Sequence, residues 1–101
     1  MAEIYKALAD PTRRRILQLL REKAMTAGEI ADQFHLAKPT LSGHFAILKE
    51  ADLIQAEKTG TTITYRLNIS VLEEALLALM DGFKLGARHT GPEDQAQEQT
   101  S

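Results

Sequence analysis

The sequence has no cysteine among its 101 residues. Disulfides, thiolate metal ligands and thiol redox switches are therefore excluded. It also has no apolar run that approaches the roughly 18 residues of a membrane span. The start of the chain lacks the basic stretch followed by an apolar one that marks a secretory signal. These absences favour a cytoplasmic protein with no membrane partner.

The length and the distribution of charge bound the class of protein. A chain of 101 residues favours one domain with a modest core. The formal net charge of −2 argues weakly against a nucleic-acid binder. However, residues 11–67 carry nine Lys or Arg against six Asp or Glu, whereas residues 86–101 carry one Arg against three acidic residues. A cationic surface would therefore lie in the middle of the chain.

The spacing of apolar residues predicts five helices and one β-hairpin. Helical periodicity covers residues 3–9, 11–23, 27–34, 38–51 and 71–85. Residues 54–67 instead alternate in character around Thr59-Gly60-Thr61, which predicts a hairpin. Residues 86–101 have almost no apolar content and are predicted to form a disordered acidic tail. The folded domain is expected to span residues 1–85.

Residues at the predicted helix ends indicate where each helix begins or stops. Asp10 is a good N-cap and precedes a proline suited to the first helical position. Thr26 and Glu29 have the spacing of a capping box. Ser70 is predicted to cap the last helix, and Gly86 to end it.

The order of these elements predicts a winged helix-turn-helix. Two short helices joined by His35-Leu36-Ala37 form a helix-turn-helix candidate over residues 26–51. The hairpin directly after it would be the wing. The predicted fold class is therefore mainly α with a small β-hairpin.

The fourth helix has an outer face of small polar residues. Leu41, Phe45 and Leu48 recur at spacings of four and three, which defines the inner face and turns Gly43 almost opposite to it. A helix with little bulk and with hydroxyl groups suits insertion into a DNA major groove. The alternative is a surface helix that happens to carry small residues. The predicted groove contacts are Lys38, Thr40, Ser42, Gly43 and His44.

Three segments, ADPTRRRIL, MTAGEIADQFHLAKPTLSGHFAILKEADLI and ITYRL, resemble the ArsR-type winged-helix repressors in order and spacing. The resemblance covers residues 4–85 and is strongest to the small, metal-free branch of SdpR-like autorepressors. It implies a homodimeric DNA-binding repressor, with an unidentified effector as a candidate partner. Two positions depart from the family pattern. Ala37 replaces a capping serine, which weakens the cap by roughly 1 kcal/mol, and Gly43 replaces a histidine, which costs roughly 0.5–1 kcal/mol relative to alanine.

A metal site is not expected, although many members of the family sense metals. The positions that match a family Cys-x-Cys pair are Thr26 and Gly28, which cannot supply soft ligands. The last helix has no histidine, and the three histidines of the chain are His35, His44 and His89, with no ligand-like spacing. We therefore predict no metal and no other cofactor.

The basic residues outside the fourth helix have two alternative roles, contact with DNA or a role within the protein surface. Arg14 and Arg15 contact DNA phosphates or pair within the molecule. Arg13 lies near the apolar face and is predicted to pair with a carboxylate such as Glu50 or Asp52. On the predicted wing, Lys58 and Arg66 contact DNA or are simply solvated.

The last helix is too apolar for one small domain to cover. Leu72, Leu76, Leu79 and Phe83 repeat at helical spacing, and further apolar residues widen the stripe. We predict that this helix pairs with its copy in a second subunit; the alternative is burial within the monomer. The predicted dimer residues are Ile4, Leu8, Leu72, Leu76, Leu79, Met80 and Phe83.

Two other function classes are alternatives to a repressor. The near-neutral charge and the absence of arginine at the tip of the wing leave room for a winged helix that binds a protein partner instead of DNA. A steep fall of binding with salt would favour DNA. An enzyme is not expected, because no catalytic triad order and no phosphate-binding glycine loop is present.

Overall fold

The computed structural model describes residues 2–83, which form five helices and a three-stranded antiparallel sheet. The predicted order of helices and hairpin is confirmed, with one strand added before the third helix. The elements are α1 (Ala2–Leu8), α2 (Pro11–Glu22), β1 (Met25–Thr26), α3 (Ala27–Ala31), α4 (Lys38–Glu50), β2 (Ile54–Thr59), β3 (Thr62–Leu67) and α5 (Ile69–Gly82). In the part of the chain that is described, no helix is long and apolar enough to cross a membrane.

The start of α2 is capped as predicted. Asp10 has extended backbone angles, and its Oδ2 accepts a hydrogen bond of 3.0 Å from the backbone N–H of Arg13. Pro11 occupies the first turn, where its missing N–H costs no helical hydrogen bond. This hydrogen bond is the main reason that the pKa of the Asp10 carboxyl lies below its usual value.

The start of α3 is fixed from two sides. Thr26 Oγ1 accepts from the N–H of Glu29 at 3.1 Å, and Glu29 Oε1 accepts from the N–H of Thr26 at 2.8 Å, so the predicted capping box is confirmed. Met25 and Thr26 also form β1, which pairs with Tyr65 and Thr64 of β3. Periodicity did not predict β1, because a strand of two residues has no period to detect.

The link between α3 and α4 is longer than predicted. The prediction carried α3 to residue 34, but the helix ends at Ala31 and its C-cap is Asp32. Gln33 and Phe34 then donate to carbonyls three residues back, at 2.9 and 3.0 Å. These tighter turns satisfy the helix carbonyls while the chain changes direction towards α4.

The end of α4 turns directly into the wing. Asp52 has a φ of 61°, and its N–H donates to the carbonyl of Lys49 at 2.9 Å. The N–H of Leu53 donates to the carbonyl of Leu48 at 3.0 Å. These two bonds form a Schellman motif, in which Asp52 takes the left-handed position that glycine usually holds. Leu48 and Leu53 are both fully buried in the same apolar core.

The wing is a hairpin with a two-residue turn. Ile54 of β2 pairs with Leu67 of β3 at its base, and Thr59 pairs with Thr62 at its tip. Gly60, the first turn residue, has a φ of 62°, which a type II′ turn needs at that position. Only Ile54 is buried on β2, so most of this strand extends beyond the core.

The core lies where α2, α4 and the base of the sheet meet. Ile16, Ile30, Leu48 and Leu53 are its largest fully buried side chains. The ring of Phe45 stacks on that of Tyr65 with 4.4 Å between centroids, which joins α4 to the central strand. Burial raises the pKa of the Tyr65 hydroxyl.

The last helix differs from its prediction at its beginning. Asn68 is the N-cap of α5, its side chain makes no capping hydrogen bond, and Ser70 lies inside the first turn. The prediction that Ser70 is the cap is therefore wrong, because tertiary packing starts the helix two residues earlier. The backbone N–H of Asn68 donates to the carbonyl of Leu53 at 2.9 Å, which fixes this start beside the wing. The predicted terminator Gly86 and the predicted tail lie outside the described residues.

Candidate nucleic-acid interface

The outer face of α4 is open and carries little bulk. Leu41, Phe45 and Leu48 are buried, as the helical spacing predicted. Lys38, Thr40 and Ser42 are exposed, and so is Gly43. A Cβ added to Gly43 would meet no atom within 4 Å, so nothing in the described part of this chain requires a glycine there. This face can approach a large flat or grooved partner closely.

The first turn of α4 lacks a side-chain cap. Ala37 has the extended backbone angles of an N-cap but makes no capping hydrogen bond. Its carbonyl starts the helix by accepting from the N–H of Leu41 at 3.1 Å. The amide groups of a helix N-terminus favour an anion such as phosphate. The exposed ammonium of Lys38, at the same end of the helix, adds positive charge.

His44 lies on the side of α4 that faces α2, and only 15% of its side chain is exposed. Its Nδ1 lies 3.1 Å from Nη1 of Arg13 and 3.9 Å from Oδ2 of Asp10. The prediction placed His44 among the groove contacts and near the edge of the core. The structure brings it into contact with α2, whereas Thr40 and Ser42 are exposed.

Arg13 is the buried charged residue of this region, with 9% of its surface exposed. Its Nε donates to the carbonyl of Ala7 at 3.0 Å, and its Nη2 donates to that of Lys6 at 2.9 Å. Arg13 is bonded within the molecule as predicted, but the prediction of a carboxylate partner such as Glu50 or Asp52 is wrong. Sequence reasoning missed these partners because the carbonyls that end α1 carry no side-chain signal.

Arg14 and Arg15 remain on the surface. Arg14 Nη1 donates to the carbonyl of Leu8 at 2.8 Å, and Arg15 Nη1 lies 3.4 Å from Oε1 of Gln18. Both side chains are exposed. Their positive charge is accessible to DNA phosphates, although Arg14 already donates a hydrogen bond to the end of α1.

The wing carries two exposed cations on different strands. Lys58 of β2 is exposed near the tip. Arg66 of β3 lies nearer the base, and its Nη2 is 3.7 Å from Oε1 of Glu57. More than half of each side chain in this ion pair is exposed, so the pair is weak and leaves Arg66 able to exchange partners.

A second, apolar surface lies on α5 and α1. Ala75 is the buried residue of α5, while Leu72, Ile4 and Leu8 are half-buried. The predicted alternative, burial of the whole stripe within the monomer, is therefore wrong for the described chain. The large exposed side chains of α5 are Ile69, Leu76, Leu77, Leu79, Met80 and Phe83, and Phe83 is 69% exposed.

No group of three or more His, Asp or Glu side chains able to hold a metal ion is present within residues 2–83. Glu73, Glu74 and Asp81 of α5 are each exposed. The tail histidine, His89, lies outside the described residues.

Comparison with known proteins relates this arrangement to one group. Residues 8–57 match the family model of a helix-turn-helix domain. The transcriptional repressor SdpR of Bacillus subtilis (strain 168) is 46% identical over 76 residues, which cover 75% of this chain and 84% of that protein. The crystal structure of a possible transcriptional regulator for arsenical resistance matches with a TM-score of 0.71 and 35% identity, over 81% of this chain and 84% of that one. An ArsR family transcriptional regulator, RHA00566, matches with a TM-score of 0.69 and 29% identity, over 82% and 89% of the two chains.

Proposed function

The chain belongs to the ArsR-type winged helix-turn-helix family and is a DNA-binding transcriptional repressor, not an enzyme; from this premise we propose that it acts as a homodimer on an inverted-repeat operator. The repressor would work in the cytoplasm, by occupying a promoter, and its own promoter is a candidate target. The protein-binding alternative is not favoured by relatives that are named as transcriptional repressors and regulators.

The observation that carries the proposal is the open outer face of α4. In our proposal this helix enters the major groove with its N-terminal half, where Thr40 and Ser42 reach base edges and Gly43 allows close approach. Lys38 and the uncapped helix N-terminus bind phosphate. Phosphate contacts from Arg14, Arg15, Lys58 and Arg66 would fix the position of the domain on the duplex without reading sequence.

The exposed apolar face of α5 supports the homodimer. Leu76, Leu79, Met80 and Phe83 follow one another at helical spacing and are all exposed. A contiguous patch of this kind is rarely left open on a soluble monomer. Paired with its copy, and flanked by Ile4 and Leu8 of α1, it would be covered. Two-fold symmetry would then set the two α4 helices roughly 34–36 Å apart, one turn of DNA.

Selection of genomic fragments from the source organism by the purified protein, at about 150 mM salt, tests the DNA proposal. Enrichment of a few sites with an inverted repeat is the expected result. Lys38→Ala should weaken binding to the selected site and lower the salt slope by about one. Lys49→Ala removes the same charge from the last turn of α4 and should leave both values unchanged. No enrichment of any site would overturn the proposal.

Sedimentation at micromolar concentration tests the dimer. The wild type is expected to have the mass of two chains, and Leu79→Glu that of one, because a carboxylate would be desolvated in an apolar interface. Leu77→Glu is the matched control: Leu77 is exposed on the same helix but, two residues before Leu79, points about 160° away from it. A monomeric wild type, or equal effects of the two substitutions, would contradict the proposed interface.

A further inference from the structure

We infer that Arg13 is a positioning residue for DNA binding, which ties the end of α1 to His44 of the DNA-reading helix α4. The inference rests on the proposed use of α4 in the major groove. It concerns a residue that does not itself reach the outer face, since Arg13 is 9% exposed.

The contacts of one guanidinium group span three helices. From α2, Nε and Nη2 donate to the carbonyls of Ala7 and Lys6 at the end of α1. Nη1 lies 3.1 Å from Nδ1 of His44, in the middle of α4. Arg13 therefore holds two elements with different proposed tasks, because α1 flanks the dimer surface and α4 meets DNA.

The contact with the Arg13 guanidinium determines the tautomer of His44. A guanidinium has only donors, so the Nδ1 of His44 must accept the hydrogen bond. An imidazole whose Nδ1 accepts is neutral and carries its proton on Nε2. His44 is thereby held in one tautomer and one ring orientation on the α4 helix.

The environment explains why arginine holds this position. A buried cation is costly unless it is paired and hydrogen-bonded. The Asp10 carboxylate, which accepts from the N–H of Arg13, lies at the same junction and balances the charge. The planar fork of arginine directs its donors at three separate acceptors, whereas the ammonium of lysine at the end of a flexible stem does not match this geometry.

The plain alternative is that Arg13 only stabilises the fold by ending α1. In that case its effect on DNA binding would not depend on His44. If Arg13 instead acts on α4 through its contact with His44, the effects of substituting these two residues on operator affinity are coupled. A double-mutant cycle measures this coupling.

The test is a cycle of Arg13→Gln, His44→Ala and the double variant, read as affinity for the selected operator. Folded fraction is measured for each variant, so that affinity refers to folded protein. Each single variant should bind about tenfold more weakly because α4 is no longer held in its binding position, and the double variant should bind no more weakly than either single one. His44→Asn, whose amide oxygen can occupy the place of Nδ1, should restore part of the loss seen in His44→Ala.

The matched control is Arg21→Gln, which removes the same charge from an exposed position on α2. It should leave affinity unchanged and show no coupling to His44. Additive losses from Arg13→Gln and His44→Ala would overturn the inference.

A second test uses the wild-type protein, so its result does not depend on whether a variant folds. The imidazole ¹⁵N shifts of His44 at about pH 8 identify its tautomer, since an ordinary histidine is neutral there. A proton on Nε2 is expected, and a proton on Nδ1 would overturn the inference. If the wild type binds no operator at all, the proposed function fails first; if it binds without coupling, only the role of Arg13 fails.

Discussion

Replacing Ala37 by serine should stabilise the protein by supplying the cap that α4 lacks. Ala37 already has the extended backbone angles of an N-cap, so the substitution needs no change in the chain. Pro39, in the second position of the helix, has no N–H to offer. A serine hydroxyl would therefore accept from the N–H of Thr40 alone, as Thr26 accepts from Glu29 in α3 at 3.1 Å. In α3, Glu29 also accepts from the N–H of Thr26, whereas Thr40 has no carboxylate that could accept from the N–H of residue 37. We therefore expect one new hydrogen bond, worth about 1 kcal/mol.

Thermal unfolding at one fixed protein concentration measures this gain, since the melting temperature of an oligomer depends on concentration. A gain of about 1 kcal/mol in a domain of this size raises the Tm by roughly 4–8 °C. Ala46→Ser, at an exposed position in the middle of α4, is the matched control and should lower the Tm slightly because serine is a poorer helix former. A Tm for Ala37→Ser no higher than that of the wild type would refute the reasoning, as would an equal rise in the control.

Three further predictions concern single positions. Asp52→Gly should stabilise by about 0.5 kcal/mol in urea unfolding, because the φ of 61° favours glycine, whereas Asp32→Gly, where φ is −65°, should destabilise. Gly43→Ala should raise the free energy of unfolding by about 0.5–1 kcal/mol yet weaken operator binding, because its new methyl group lies on the face that meets DNA; stronger binding would contradict the assignment of that face. The hydrogen bond from Arg13 lowers the pKa of Asp10, so the stabilisation from its carboxylate is present above its ordinary pKa of 3.8 and is lost as pH falls through the folded value. Asp10→Ala should therefore be less stable than the wild type at neutral pH, with a difference that shrinks as unfolding is measured towards pH 3, and a constant difference would count against this account.

The sequence predicted the features of the fold that depend on neighbouring residues. Asp10 and the capping box of Thr26 act over three positions, and the inner face of α4 follows from helical spacing alone. The failures involve distant partners. The strand at Met25 exists only because β3 lies beside it, and α5 begins before Ser70 because the N–H of Asn68 is bonded to Leu53, just before the wing.

In the candidate interface, too, features set by local spacing could be predicted from the sequence, and contacts between distant residues could not. The exposed groups of α4, including Thr40 and Ser42, could be predicted because they lie opposite the buried stripe. The contact between Arg13 and His44 joins residues that are 31 positions apart, and neither residue indicates the other in the sequence. The position of Arg13 near the apolar face suggested a carboxylate partner, but backbone carbonyls and an imidazole accept from its guanidinium.

The position of Thr26, shared between strand and helix cap, limits how such a domain can be recombined. Its backbone pairs with Thr64 in the sheet while its side chain begins α3. A wing transplanted from a relative as β2 and β3 alone would bring a foreign partner to β1 and would disturb the first turn of the reading motif. A chimera that exchanges residues 25–67 as one block keeps both relations intact. We therefore expect the exchange of DNA-reading segments between relatives to succeed when the exchanged segment starts at β1, and to fail when it starts at the hairpin.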